Sequence, residues 1–498
     1  MGRRPLVTLP ARGFELALLA LWLLALLGVR PLLLPDEGRY AGVAFEMLHG
    51  SALVPTLDGL PFFHKPPLLY WLDAGAMQLF GVGPFAARLG PALMAWLLGA
   101  ALFLHLRRWH GPVVARIGLL LLATSPLFFL GGQYVNHDIG VAACITAAVL
   151  AVVRAVDDAE RPSRTNLRWL LLGWAFCAVG VLAKGLIGIV LPALVVVPWL
   201  LAQHRWRQAL SLLHPLGPLV FLGVAGPWMW AMQSRYPGFF DYFIVEQHFR
   251  RFTGGGFNNR APFWFYAAAL PLLIGPSSLW LWPAARQRGA RAWLYFWWAA
   301  AIVFFFSLPT SKLVGYIMPA MAPAVALLAM VLAARARPWR MTALLAAVAA
   351  GVCVGAVLLL AWKAPGSNRD IGRALGERWQ PGDRLVYIDA PFYDLRFYAG
   401  VAAPAILLSG WDEPELTARD DWRKELFDAA RFDPARGREL LWPWRRLPEI
   451  ACHDGRVWIV ATPAQLPKLA SLAGLQTVLS GRHALLLQAD GQACGAMP

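Results

Sequence analysis

Apolar residues along this chain come in long runs rather than in alternation. Stretches of spanning or near-spanning length fall near residues 14–34, 85–105, 114–133, 138–154, 169–183, 186–202, 213–232, 263–283, 293–308, 314–333 and 342–362. A helix needs about 20 apolar residues to cross the hydrocarbon of a bilayer, so the pattern predicts about eleven spans, with 169–183 and 186–202 short members. Between residues 37 and 50, Tyr40, Val43, Ala44 and Met47 recur at helical spacing opposite Arg39 and Glu46. That spacing predicts a short amphipathic helix on the membrane surface. In 308–323, Pro319 and Pro323 interrupt an apolar run, and broken helices at membrane depth are tolerated chiefly where they line a cavity. After Lys363 the apolar runs shorten to strand length at 384–389, 405–409, 457–461 and 483–488, with helix-like stretches near 369–378 and 464–474. The expected fold is an all-α polytopic membrane bundle over residues 1–362 and a small α/β domain over 363–498.

Composition excludes a soluble globule. The 498 residues are 58% hydrophobic, with 24 Trp and 27 Phe, and the mean hydropathy is +0.52, the balance of a polytopic membrane protein. A net charge of +16 would suggest nucleic acid in a soluble protein, but here topology accounts for most of it. Arg3, Arg4 and Arg12 precede the first run, and Arg107 and Arg108 follow the second. Arg154, Arg161, Arg164 and Arg168, then Arg205 and Arg207, then Arg286, Arg288 and Arg291, and finally Arg335, Arg337 and Arg340 occupy later loops. Every second loop is basic, which assigns these loops and the N-terminus to the cytoplasm. The other loops and the C-terminal domain are expected outside, and no nucleic acid partner is expected. The basic N-terminus leads into an apolar run too long for a signal-peptide core and without a small-residue cleavage site, so a retained first helix is expected. Cys144, Cys177 and Cys353 lie in apolar runs and read as small buried hydrophobes, whereas Cys452 and Cys494 could pair in an oxidising compartment.

The lysines before residue 363 are Lys65, Lys184 and Lys312. All fall in outside-facing turns, the side that the charge rule depletes of cations, so topology does not explain them. A compact ammonium suits holding a phosphate as a point charge; for Lys184 a snorkelling helix-end lysine is the alternative. The first outside loop, Pro35–Asp73, sets Asp36, Glu37, Arg39 and His64 near Lys65. Ionisable groups so close to hydrocarbon are costly unless paired or solvated, although an ordinary polar loop is the bland reading. The turn GGQYVNHDIG brings Asp138 to the start of the next run, where it could serve merely as a helix N-cap. The loop 233–262 carries Glu246, His248, Arg250 and Arg251, and His248 is either a ligand or an interfacial histidine. No phosphate-binding glycine loop or dinucleotide fingerprint is present, so the energy for any reaction must come with the substrate. Two aspartates, three lysines and aromatic surfaces on one face fit a lipid-linked phosphate donor. Cations would bind the phosphate, apolar helices the polyprenyl tail, and a carboxylate would accept or orient a proton.

The runs PDEGRYAGVAFEML, FFHKPPLLYW, NHDIG, AKGLIGIVLP, EQHFRRF with APFWFY, and SKLVGYIMPAMAP resemble, in order, the bacterial aminoarabinose transferase and protein O-mannosyltransferase-like family of polyprenyl-phosphate-sugar glycosyltransferases. The resemblance implies the GT-C fold, with periplasmic juxtamembrane helices and a periplasmic C-terminal domain. It also implies inverting transfer of a sugar such as aminoarabinose from undecaprenyl phosphate to lipid A or another envelope glycan, on the outer face of the inner membrane. Carried over by motif, Asp36 and Asp138 match the catalytic aspartates, and Lys65 and Tyr316 look like the donor-phosphate residues. Lys184, Lys312 and Arg39 are expected beside that phosphate from the charge pattern, with Glu37, Glu246 and Arg251 on the acceptor or loop side. Where the aminoarabinose branch has an acidic residue before its Lys-Pro and a Glu-His pair, this chain has His64 and Gln247-His248, so a divalent metal such as zinc would fall to His64 and His248. A transporter or flippase of a lipid-linked saccharide is the alternative class. It predicts ionisable residues at mid-membrane depth inside broken helices, whereas here they cluster at one face.

Overall fold

The computed structural model describes residues 13–158, 165–250, 259–413, 416, 421–453, 455–472 and 474–490. The apolar runs are helical, the arrangement in which a backbone away from water satisfies its own N–H and C=O groups. α1 (Gly13–Leu24) is followed by α2 (Asp36–His49) and α3 (Leu68–Phe80), with the hairpin β1 (Thr56–Leu57) and β2 (Leu60–Pro61) between them. α4 (Leu89–Thr124) joins two expected spans across a kink at Gly111, whose φ of 85° lies in the left-handed region. α5 (His137–Asp157), α6 (Leu167–Lys184), α7 (Ile187–Ala202) and α8 (Leu216–Arg235) follow. α9 (Ala290–Ser307), α10 (Met321–Ala333) and α11 (Pro338–Lys363) complete the membrane part.

Among the described residues, 6 helices are long and apolar enough to cross a membrane, or up to 7 if one bent pair is a single span. The sequence pattern predicts more, and the reasons are local. Two of its runs merge in α4, and α1 and α7 are shorter apolar helices. The run at 263–283 forms Phe265–Ile274 and Pro276–Ala285, bent by 114°. Gly275 sits at the bend with a φ of 87°, a left-handed helix stop followed by a proline that cannot continue the ladder.

After α11 the chain forms β3 (Arg384–Ile388), β4 (Ile406–Ser409), α12 (Trp422–Ala430), β5 (Leu441–Pro443), β6 (Arg456–Ala461), β7 (Gln476–Ser480) and β8 (Leu485–Asp490). They make one sheet in the order β5-β4-β3-β6-β8-β7. Neighbours from β5 through β6 are parallel, and β8 runs antiparallel to both β6 and β7. The four expected strands form. β5 has three residues and β7 mixes polar with apolar ones, too little pattern to be foreseen.

Side chains alternate across this sheet with a period of two. Leu385 and Tyr387 of β3, with Trp458 and Val460 of β6, pack into one core with Tyr40, Val43, Ala44 and Met47 of α2 and Tyr70 of α3. Val386, Ile388, Val457 and Ile459 fill the opposite core. The apolar stripe of α2 is therefore covered by the C-terminal sheet rather than lying bare on a membrane surface. Cys144, Cys177 and Cys353 are buried and free, while the expected Cys452–Cys494 pair lies outside the described residues through Cys494.

A buried charge cluster ties the same two layers together. Arg396 Nη1 donates to Glu46 Oε1 at 2.6 Å and to Asp58 Oδ1 at 3.1 Å. Burial pushes the Asp58 carboxyl up to about 6 against the pull of Arg396, and Glu46 adds to the rise. A carboxyl whose folded pKa is raised disfavours folding increasingly as pH climbs from its unfolded value through its folded one. Asp58→Asn, at a left-handed φ of 51° that asparagine tolerates, is expected to match wild type near pH 4. It should exceed wild type by about 2–3 kcal/mol at pH 7. Thermal unfolding of both proteins across that range checks it; a gap that does not grow with pH overturns it.

Candidate functional site

α5 opens with Asn136, whose side chain accepts the Asp138 N–H at 3.1 Å. The cap is thus Asn136, and the Asp138 carboxylate in the first turn is left for another partner. That partner is Lys184, the last residue of α6, whose ammonium donates to Asp138 Oδ1. The ammonium also lies 4.5 Å from the centroid of the Tyr316 ring, a cation–π contact. Tyr316 sits on the 3₁₀ turn Val314–Ala320. A Cβ on Gly315 would stand 2.3 Å from Asp138 Oδ2, so glycine lets this turn approach α5.

Asp138, Lys184 and Tyr316 line a cavity of about 330 Å³ together with His64, Lys65 and His248. Its lining also includes Val141, Ile187, Val190, Phe305 and Phe306. Two ammonium groups and a phenol in the lining of a largely apolar hollow suit a ligand with an anionic head and a hydrocarbon tail.

His248 is wedged against Gly185, where a Cβ would fall 1.9 Å from Nε2. Its Nδ1 donates to the Phe243 carbonyl at 2.5 Å, and its Nε2 accepts the Leu186 N–H at 3.2 Å. That pattern assigns a neutral Nδ1–H imidazole whose lone pair is already engaged. Among the described residues no group of three or more His, Cys, Asp or Glu side chains could hold a metal ion. The pair His64 and His248 therefore does not fit the zinc that the family resemblance raised.

The remaining predicted residues fall elsewhere. Asp36 does not line the cavity; its Oδ1 accepts from Arg39 Nη2 at 2.6 Å, and its side chain is 33% exposed. Arg39 in turn donates through Nη1 to both carboxylate oxygens of Glu425, each at 2.6 Å. Glu425 Oε1 also stands 3.8 Å from His64 Nδ1. A relay of charge thus runs from the cavity wall at His64, through α12 of the C-terminal layer, to Asp36. Glu246 is tied to the same helix, 3.5 Å from Lys424 Nζ. Arg251 lies outside the described residues.

Two candidates are consumed by structure. Glu37 is fully buried and holds Arg30 and Arg88. Burial alone would raise its pKa, but Arg88 and Arg30 outweigh it and hold the carboxyl down at about 2. Lys312 is 5% exposed and donates to the carbonyls of Ala261, at 3.1 Å, and Pro309. Burial lowers its pKa. Neither lines the cavity.

Residues 64–230 match the family described as dolichyl-phosphate-mannose-protein mannosyltransferase. The undecaprenyl phosphate-alpha-4-amino-4-deoxy-L-arabinose arabinosyl transferase of Erwinia tasmaniensis is 34% identical over 324 residues, 62% of this chain and 57% of that protein. The corresponding transferase 2 of Pseudomonas fluorescens is 34% identical over 335 residues, 64% of this chain and 60% of that protein. The chain thus spans about three fifths of the length of these relatives. In three dimensions the likeness extends further. ArnT from Cupriavidus metallidurans bound to undecaprenyl phosphate superposes with a TM-score of 0.82 at 22% identity, covering 97% of this chain and 99% of that one. The fold is the GT-C type, a multi-span membrane bundle with a small C-terminal sheet.

Glu425, Lys424 and Arg396 escaped sequence reading because one charged helix in a charged domain looks like any other. Glu425→Ala would release Arg39 and uncouple His64 from Asp36. If these groups act together on a reaction, turnover should fall by about 10- to 100-fold, as for other orienting groups. Glu425→Asp should recover part of the loss. A KM and kcat both unchanged in Glu425→Ala would reduce this residue to a surface contact.

Proposed function

We propose that this chain is an inner-membrane glycosyltransferase. It moves a sugar of the aminoarabinose type from undecaprenyl phosphate to lipid A or another envelope glycan on the periplasmic face. The observation that carries the reading is the cavity whose lining combines Lys65, Lys184, Tyr316 and Asp138 with apolar side chains. Names of the related proteins and the basic alternate loops support the same assignment. Residues 1–362 would form the membrane unit, and residues 363–498 a periplasmic layer that braces α2.

In the reaction, an acceptor oxygen attacks the anomeric carbon from the face opposite the phosphate. The anomeric C–O bond breaks, and its electron pair leaves on undecaprenyl phosphate. Lys65 and Lys184 stabilise the charge that grows on that phosphate, so no general acid is needed. Phosphate binding would compete with Asp138 for Lys184, exchanging one anionic partner for another. Asp36, held by Arg39, takes the proton of a hydroxyl acceptor or orients an acceptor that is already an anion.

The test is sugar transfer by the purified full-length protein in detergent, from undecaprenyl-phosphate-aminoarabinose to lipid A, with the lipid product weighed by mass spectrometry. Wild type is expected to form product. Lys65→Ala should weaken donor binding by about 10- to 100-fold, the scale of losing a charge-assisted contact. Donor binding without product keeps the glycosyltransferase reading and redirects it to other sugars and acceptors. Absence of any Lys65-dependent donor binding overturns it in favour of transport.

A further inference from the structure

Helices that reach the first cavity at one end reach a second cavity at the other. α5 runs from Asp138 to Asp157, α7 from Ile187 to Ala202 just before Gln203, and α9 from Ser307 back to Arg291. At 1.5 Å per residue, the 21 residues of α5 separate the two places by about 30 Å, the thickness of bilayer hydrocarbon. The second cavity, about 400 Å³, is lined by Arg205, Arg288 and Arg291 with Trp109, Gln203 and Asp157.

Its charges do not balance. Asp157 stands 3.6 Å from Arg205 and 3.4 Å from Arg291, so two guanidinium groups share one carboxylate. Arg288 is exposed and makes no ion pair among the described residues. The Arg291 guanidinium lies 3.6 Å from the centroid of the Trp109 ring. Stacking fixes the plane of a guanidinium and so the directions of its N–H groups. Arg291 Nε, Trp109 Nε1 and Gln203 Nε2 are all buried with no acceptor among the described residues. Buried N–H groups are nearly always paired, and a wall that offers several unpaired donors and excess positive charge is complementary to an oxyanion. Phosphate, with its several acceptor oxygens, suits forked guanidinium donors best.

We propose that this second cavity is a phosphate-binding site, its ligand being a phosphorylated lipid head or free phosphate. Its place at the helix ends favours the lipid, since basic pockets between membrane helices take anionic head groups from the adjoining leaflet. Nothing in this assignment depends on the reaction at the first cavity.

The full-length protein, stripped of lipid in detergent, separates the sources. One arm titrates dioctanoyl phosphatidic acid, with bound lipid counted by native mass spectrometry; the other titrates inorganic phosphate by equilibrium dialysis. Both are carried out in the Lys65→Ala background so that the first cavity contributes least. Saturable binding is expected in the lipid arm, weakened about tenfold by Arg288→Gln and by Arg291→Gln, the scale of one lost charge-assisted hydrogen bond. Arg288→Gln removes an exposed, unpaired side chain and should leave the melting temperature unchanged, which keeps the reading apart from misfolding. Arginine-sensitive binding in the phosphate arm alone supports the site and names free phosphate as its ligand. Failure to saturate in either arm, or affinities within about twofold of the parent in both variants, overturns the proposal.

Discussion

Glu37→Ala is expected to leave little folded protein in the membrane. The carboxylate is 0% exposed and serves two guanidinium groups at once. Arg88 Nε and Nη2 donate to its two oxygens at 2.8 Å and 2.9 Å, and Arg30 donates from the other side. The backbone N–H groups of Leu33 and Val135 reach the same oxygens at 2.9 Å and 3.1 Å. Removing the carboxylate strands two buried cations and two amides. Breaking a buried ion pair by deleting one partner costs about 3–5 kcal/mol, a large part of the 5–15 kcal/mol or so that holds a domain folded. Glu37→Gln keeps the shape and some acceptors but not the charge, so its loss should be smaller. Size-exclusion profiles and melting of detergent-extracted protein measure both; a Glu37→Ala variant that melts within a few degrees of wild type contradicts this account.

Asp36→Asn is expected to leave the protein folded and nearly inactive. The neighbouring residue makes the contrast plain. Asp36 is on the outer side of the same helix turn, 33% exposed with a single guanidinium partner, and amide substitution there removes charge without stranding a buried cation. With a hydroxyl acceptor, loss of the base should lower kcat by about 10²–10⁴. Donor binding, proposed to rest on Lys65 and Lys184, should change by about twofold or less. An acceptor that is already ionised would shrink the kcat loss, so comparing acceptors in this variant reads out which kind the protein uses. Full transfer by Asp36→Asn with every acceptor would remove this carboxylate from the mechanism.

Much of this protein was legible in one dimension. Long apolar runs report helices that satisfy their own backbones in hydrocarbon. Short continuous apolar runs after residue 363 foretold four of the six strands of the sheet, because a strand buried on both faces carries apolar residues toward each core in turn. The three lysines stood out as cations that topology does not explain. Three dimensions decided what each of them does. Lys65 and Lys184 meet in one cavity, whereas Lys312, chemically identical and in an equivalent turn, spends its ammonium on two backbone carbonyls. Asp36 and Glu37 are adjacent in sequence, but a rotation of about 100° per residue on a helix turns one toward solvent and the other into a buried pair of arginines. Glu425 meets Arg39 across 386 residues of chain, and Arg396 meets Glu46 across 350. No local pattern encodes such contacts. Hydrophobic periodicity is a property of neighbours in sequence and survives in any fold that keeps the helix or strand. Pairing of charges depends on which faces the whole packed chain brings together, and only the tertiary structure contains that.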